Sequence, residues 1–465
     1  MKKFFPYLSL LWVFIMSPLA LPGFSSGEGA GALGRWPVYG FLFFLSFSTV
    51  VMAGSAYFYW HEQKTSWSRS HLGLIVGLFG ACFFASMGGE PWIDDDLYRY
   101  LWDGFITAQG KDPVSFPPIS NFEGFPSDLK ERIAFADVST VYPPVAQWFF
   151  AVLWLFAGSS LLIWNYIFGI LTFLTLIILM QLAQRHCVPF GIQVILLMNP
   201  VFIKEFADSC HIDILGIFFL GLGLLCLSFS SPNIRLIFLS LCISLSCLVK
   251  PIGAFVLPFL PKLSIKEKCL SSLLVAIFSV CAMLAFFKNA PAISSYLNSL
   301  QYFQSHWVFS PGLAEILKES LGFFHPEKSN FQLWHLSLQV IACISMIFLA
   351  STILAGLIKK SLSPSLGVSV LGGFFVIQGV VNPWYLFWLW PLIILLEWKK
   401  RPRISVYISF PWLVLPFFLA FSGYTYWIDF HDISWLRRFS WFAWFVLFTA
   451  SCIHLRSHVK DLVED

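Results

Sequence analysis

Charge is what this sequence has least of. Of its 465 residues only 12% are Asp, Glu, Lys or Arg, while 58% are hydrophobic; a soluble domain carries roughly 25% charged residues. That balance excludes a water-soluble globular chain, and a mean hydropathy of +0.75 points to helices in lipid. Ligand-spaced cysteines are missing too. There are 10 cysteines, yet no CxxC pair occurs: Cys82, Cys226, Cys242, Cys247, Cys281, Cys343 and Cys452 stand inside apolar runs, and Cys187 and Cys210, nearer to loops, have no cysteine at ligand spacing. They read as small apolar filler, with no disulfide and no zinc site. The formal net charge of +4 is too small and too local to make a nucleic-acid surface. No internal repeat is visible, which weighs against transporters built from inverted repeats. Low-complexity tracts and an appended soluble domain are also lacking.

What the chain has in abundance is apolar runs of crossing length. The opening MKKFFPYLSLLWVFIMSPLALPG reads as a retained first span in preference to a cleaved signal peptide. Further runs cover Trp36 to Trp60, His71 to Met87, Leu161 to Leu182, Phe190 to Ile203, Ile212 to Phe229, Leu236 to Val249, Pro251 to Leu260 and Leu270 to Phe287. Beyond these come His335 to Leu357, Ser365 to Val381, Trp384 to Leu396, Ser405 to Phe421 and Leu436 to His454. The expected fold class is therefore an all-α membrane protein, one polytopic bundle of about 12 to 14 transmembrane or part-spanning helices covering residues 1–465. Short runs around Pro200, Pro251 and Pro383 predict broken or re-entrant helices. Basic residues mark cytoplasmic turns at Lys64 with Arg69, Arg185, Arg235, Lys262 with Lys266 and Lys268, Lys359 with Lys360, and Lys399 through Arg403. On that register the segment 88–142 is extracytoplasmic. The stretches NPVFIKEFADSCHID, LVKP, QYFQSHWVFSPG, VNPWY and GYTYWIDFHD converge on the same face.

The segment 88–142 holds the unusual chemistry. Asp94, Asp95, Asp96 and Asp103 fall between apolar segments, and an ionised Asp at a helix centre costs about 2.5 to 3.5 kcal/mol, so they belong in water or a polar cavity. A helix beginning at Asp96 puts Asp96, Arg99 and Asp103 on one side. Arg99 then either holds a carboxylate ionised or binds a phosphate. One Asp suffices as a helix cap, so the triple is read as functional in at least one member. Tyr142, Pro143 and Pro144 lead into an apolar segment, either a surface helix or a Pro-rich connector.

Further along, Lys204, Asp208 and His211 share a face if helical. Lys204 and His211 suit a phosphate; His211 with Asp213 suits a metal, although two ligands make no site; a buried ion-pair network is the bland alternative. Lys250, before Pro251, interrupts an apolar run with no carboxylate beside it in sequence, so an anionic ligand would suit it. Arg437 and Arg438 are weaker candidates of the same kind. The aromatic residues are chiefly lipid-facing and interfacial.

In order and spacing, the motif Asp96-Leu-Tyr-Arg-Tyr-Leu-Trp-Asp-Gly104, then Gly110, Asp112 and Pro113, then Tyr142-Pro143-Pro144, Lys204-Glu205, His211 with Asp213, Lys250-Pro251 and Pro383-Trp384-Tyr385 resembles the polytopic GT-C glycosyltransferases. The likeness is to prokaryotic mannosyltransferases that use polyprenyl-phosphate-mannose. The resemblance implies a GT-C-like bundle in the cell membrane and a polyprenyl-phosphate-linked sugar donor. It implies a lipid or glycan acceptor and inverting transfer on the extracytoplasmic face. It places Asp96 at the acid position, with Asp94 and Asp95 as further carboxylates. Arg99, Lys204, His211 and Lys250 are then candidates for the donor phosphate, and Asp103, Tyr142, Glu205, Asp213, Trp384 and Tyr385 for substrate contact. No cofactor is assigned, and a divalent metal is compatible with the acids. Val114 departs from the Tyr that often follows the family's Gly-x-x-Pro turn. The competing expectation is a transporter or flippase of a lipid-linked or small polar substrate.

Overall fold

The computed structural model describes residues 69–429, apart from 92–93, 121, 288–289, 307–312, 359–361 and 379. The opening hydrophobic segment, the run from Trp36 to Trp60, Lys64, most of the stretch around His431, Arg437, Arg438 and the last apolar run lie outside the described residues. Helices dominate and no strand occurs among the described residues, so the chain is a polytopic all-α membrane protein. Five helical segments are long and apolar enough to cross a bilayer: His71–Gly88, Leu161–Arg185, Phe190–Asp208, Ile265–Phe286 and Asn330–Leu354.

The chain divides into two compact units. The first comprises Met1–Leu257 and Leu263–Leu300, the second Pro258–Lys262 and Gln301–Asp465. In the first unit the helices are α1 (Arg69–Ala85), α2 (Asp96–Ala108), α3 (Pro144–Ala157), α4 (Leu161–Arg185), α5 (Phe190–Leu197), α6 (Asp213–Cys226), α7 (Pro232–Cys247) and α8 (Ile265–Phe286). Proline and side-chain caps set several of their starts. Pro144 and Pro232 open α3 and α7, where a missing N–H costs nothing. Ser264 and Glu267 cap α8 reciprocally, satisfying two N–H groups that the helix leaves open. On α8 the exposed Leu270, Leu273, Ile277, Val280 and Leu284 recur every three or four residues, one apolar stripe of the kind that faces lipid.

Three of the expected runs are interrupted, at the prolines that predict it. The run from Phe190 stops at α5, resumes as a single turn at Pro200–Ile203 under the Asn199 cap, and continues as a π-helical turn, Lys204–Asp208. Pro251–Phe259 is a 3-10 coil in place of a span, as Pro251 and Pro258 dictate. In the second unit Pro383–Leu389 likewise forms a 3-10 turn ahead of a short helix, Trp390–Ile394. The long helices there are Asn330–Ile358, Pro364–Ile377 and Pro402–Asp429.

The sequence left the YPP stretch open between helix and connector; it is α3, packed along α2. Its outer side exposes Trp148, Val152, Leu155 and Phe156, and its inner side lies so close to α2 that a Cβ added at Gly104 would sit 2.5 Å from the Phe150 carbonyl oxygen. Gly104 therefore closes the DLYRYLWDG motif for packing reasons. Gly104→Ala should force the helices apart and lower the unfolding free energy by about 1 to 3 kcal/mol, the usual range for overpacking. Unchanged unfolding in detergent would show that the α2–α3 contact yields easily.

Candidate active site

The acid loop enters α2 through two local hydrogen bonds of different purpose. Asp94 Oδ1 accepts the Asp96 N–H at 2.9 Å, which leaves its Oδ2 to face His211, 3.4 Å away. Asp96 in turn accepts from the Tyr100 hydroxyl at 3.2 Å, one helical turn on. Tyr100 is fixed by stacking on Phe150 at 4.5 Å and by edge contact with Tyr142 at 5.1 Å.

Against these carboxylates the broken helix delivers His211. The π turn keeps Glu205 inward, the Ser209 N–H donates back to the Lys204 carbonyl, and the His211 N–H donates to the Glu205 carbonyl. Cys210 then takes a left-handed backbone, φ 58°, so the chain reverses and α6 starts afresh at Asp213. His211 is fully buried. Its Nε2 lies 3.0 Å from Glu205 and 3.4 Å from Asp94, and its Nδ1 lies 3.4 Å from Asp96 Oδ2. One ligand atom each from Asp94, Asp96 and His211 falls within 4.8 Å of the others.

The electrostatics follow from that crowding. Burial raises Asp94 to about 6 against the pull of His211, with Asp96 adding to the rise. Asp95 goes to about 7, first through desolvation by the protein around it and then through the Asp94 and Asp96 charges. Burial also works against ionised Asp96, but hydrogen bonds from His211 and Tyr100 and the charges of His211 and Lys250 outweigh it and hold Asp96 below its ordinary value. Burial would lower His211, and the surrounding Asp94, Asp96 and Glu205 override it, to about 10. Three carboxylates thus hold the imidazole as a cation.

Two expected partnerships differ. Lys204, Asp208 and His211 do not share a face, because the π turn and the break at Cys210 replace a continuous α-helix; Lys204 instead donates to Ser209 at 2.7 Å. Lys250 does have a carboxylate, 37 residues earlier: its Nζ reaches Asp213 Oδ1 at 2.9 Å and Oδ2 at 3.1 Å. Asp213 is 4% exposed and Lys250 26%. Lys250→Met should therefore destabilise the protein by about 3 kcal/mol, the low end for one partner removed from a buried pair, since the ammonium keeps some water. Equal or greater stability in a detergent unfolding titration would exclude the pair as a structural element.

Arg99 and Asp103 form a separate buried pair, with Nε to Oδ1 at 3.0 Å. Asp103 Oδ2 also accepts from Thr140 and from Gln147 Nε2. Arg99 Nη2 is buried without a hydrogen-bond partner among the described residues. Sequence reasoning missed Tyr100, Ser209, Thr140 and Gln147. Tyr100 was within reach, standing four residues after Asp96 in the same helix; Gln147, a lone amide in an apolar helix, was a weaker signal. Val114 packs with Phe287, Ala292 and Tyr296, a core position and not a polar one. Trp384 and Tyr385 are half-buried in the second unit, edge to face at 5.8 Å.

Residues 39–266 match the family model described as alpha-(1->6)-mannopyranosyltransferase, N-terminal domain. No curated protein and no solved structure matches the chain. The matched region contains α1 to α7 and every polar group of the acid and histidine cluster.

Proposed function

We propose that this mannosyltransferase-like GT-C membrane protein, a glycosyltransferase by its matched region 39–266, moves a hexosyl group, mannose by that likeness, from a polyprenyl-phosphate donor to an acceptor hydroxyl on the extracytoplasmic face. The observation that carries the reading is the assembly, from α2, the π turn and the start of α6, of partly exposed Asp94 and Asp96 around buried His211. In the transfer the acceptor oxygen attacks the anomeric carbon, the bond to the lipid phosphate breaks with inversion, and the hydroxyl proton passes to a carboxylate of the Asp94–Asp96 pair. Asp96 is the better placed, since it is 38% exposed and its second neighbour, Tyr100, orients it. A positioned base supplies about 10²- to 10⁴-fold. The phosphate leaves as a stable anion, and Lys250, 26% exposed, is the cationic group offered to it.

The face is supported by the ends of the bundle. Arg185 donates to Ser228 and Arg235 pairs with Glu267, so basic residues stand at the end of α4 and at the starts of α7 and α8. Asn165, at the other end of α4, bonds Cys210 beside His211. Twenty residues of helix separate Asn165 from Arg185, about 30 Å, the thickness of a hydrocarbon core. Positive-inside bias then turns the acid end outward.

The full chain in nanodiscs should transfer radiolabelled mannose from polyprenyl-phosphate-mannose to a mannoside acceptor. Ser127→Cys should react with an impermeant thiol reagent in intact spheroplasts. No release of sugar from any polyprenyl-phosphate hexose would end the donor reading, and labelling only after lysis would reverse the face.

A further inference from the structure

We infer that Asp94, Asp96 and His211 bind one divalent cation of the Mn²⁺ class, which brings the donor phosphate to the acid loop. The site rests on geometry; the role given to the ion rests on the transferase reading above. Each of the three residues presents one ligand atom within 4.8 Å of the other two. Two carboxylate oxygens and one imidazole nitrogen suit a cation of intermediate hardness such as Mn²⁺. The set is more than a group of acids, because the histidine is built in. Ligating histidines characteristically give their second ring N–H to a carboxylate, which fixes the tautomer and leaves the first nitrogen to the metal. Here Glu205 Oε2 lies 3.0 Å from Nε2, and Nδ1 is the nitrogen that faces Asp96.

Glu205 supplies the independent observation. It is fully buried, and its Oε1 has no hydrogen-bond partner among the described residues. A carboxylate oxygen sealed behind His211 with no donor, while Asp94 stands 3.4 Å from the same Nε2 and Asp96 3.4 Å from Nδ1, leaves a cluster of acceptors short of positive partners. Lys204 lies 3.8 Å from Glu205 but donates to Ser209, and Lys250 is joined to Asp213. On the transferase reading a phosphodiester approaches these same carboxylates, and a bound cation, the largest local charge in such a site, offsets their repulsion. The partial exposure of Asp94 and Asp96, 20% and 38%, leaves the outer side of the site open to phosphate oxygens. With the ion bound, Nδ1 gives it a lone pair, Nε2 keeps its proton on Glu205, and each Asp gives one oxygen.

The test is Mn²⁺ binding by the full chain in nanodiscs, read from loss of the free-ion paramagnetic resonance signal and kept separate from transfer. One Mn²⁺ per chain is expected, removed by chelator. Asp94→Asn and Asp96→Asn should each weaken binding at least 10-fold, and Glu205→Gln about 10-fold through the histidine. Asp128→Asn, an exposed acid of the same loop, should change nothing. His211→Ala is compared by size-exclusion profile first, and the two near-isosteric Asn variants carry the test if it fails to fold. No bound Mn²⁺ in the wild type, or equal binding by both Asn variants, overturns the site. Bound Mn²⁺ with no transfer from any polyprenyl-phosphate sugar sinks the transferase reading and leaves the site standing. Chelator-resistant transfer without bound ion does the reverse.

Discussion

Asp96→Asn is expected to reduce sugar transfer by about 10²- to 10⁴-fold while leaving folded chain in the membrane. The substitution keeps the size of the side chain and its acceptor oxygen, so the Tyr100 hydroxyl still has a partner at the position it now occupies, 3.2 Å away. It removes the charge and the ability to take a proton at neutral pH, and it withdraws one of the carboxylates facing His211. Asp94→Asn should do comparable damage. Its amide oxygen can go on accepting the Asp96 N–H, so the loop keeps its entry into α2 and the loss belongs to the chemistry, not to the fold. The discriminating measurement is turnover per folded molecule, with the folded fraction taken from size exclusion. Near-normal turnover in both single variants and in the double variant would remove the proton-accepting role from this cluster.

Legibility was uneven, and the reasons are physical. The long helices α1, α4 and α8 were readable because a bilayer demands one continuous apolar run, a composition signal that needs no partner. The interruptions at Pro200, Pro251 and Pro383 were readable as interruptions, since proline removes a donor wherever it stands. Their form was not: a π turn at Lys204–Asp208 depends on which carbonyl each N–H reaches, and the sequence spacing of Lys204, Asp208 and His211 assumed a regular α-helix. Asp94, Asp96, Glu205, His211, Asp213 and Lys250 were all singled out from sequence, and the fold draws them into one neighbourhood. Their pairings escaped because they join segments far apart in the chain. Lys250 has no carboxylate beside it in sequence, and its partner Asp213 stands 37 residues upstream. Glu205, a substrate-contact candidate from sequence, has its Oε2 3.0 Å from His211 Nε2, a pairing that spacing alone does not reveal. Sequence spacing reports neighbours within a helix; it is silent on which helix end meets which.

Arg99 and Asp103 show the same limit from the other side, and they carry the largest expected effect on stability. Spacing placed them together with Asp96 on one side of α2, and the sequence reading assigned Arg99 to a phosphate and Asp103 to substrate. In the structure Asp103 is fully buried and Arg99 nearly so, paired at 3.0 Å, with Thr140 and Gln147 donating to the second Asp103 oxygen. The network ties α2 to α3 and to the segment before Tyr142, so it holds the platform on which Tyr100 and Asp96 stand. Asp103→Asn keeps the shape but leaves the Arg99 guanidinium without its counter-charge, at a cost of about 3 to 5 kcal/mol. Removing both charges, Arg99→Met with Asp103→Leu, should cost less than the single change, because two desolvated ions disappear together and only the hydrogen bonds of Thr140 and Gln147 are lost. Equilibrium unfolding in mixed micelles of the wild type, Arg99→Met, Asp103→Leu and the double variant, taken as a double-mutant cycle, measures the coupling directly. A substrate contact predicts another pattern: Asp103→Asn would raise KM for the acceptor with the unfolding curve unmoved, and that result would return Asp103 to the binding site.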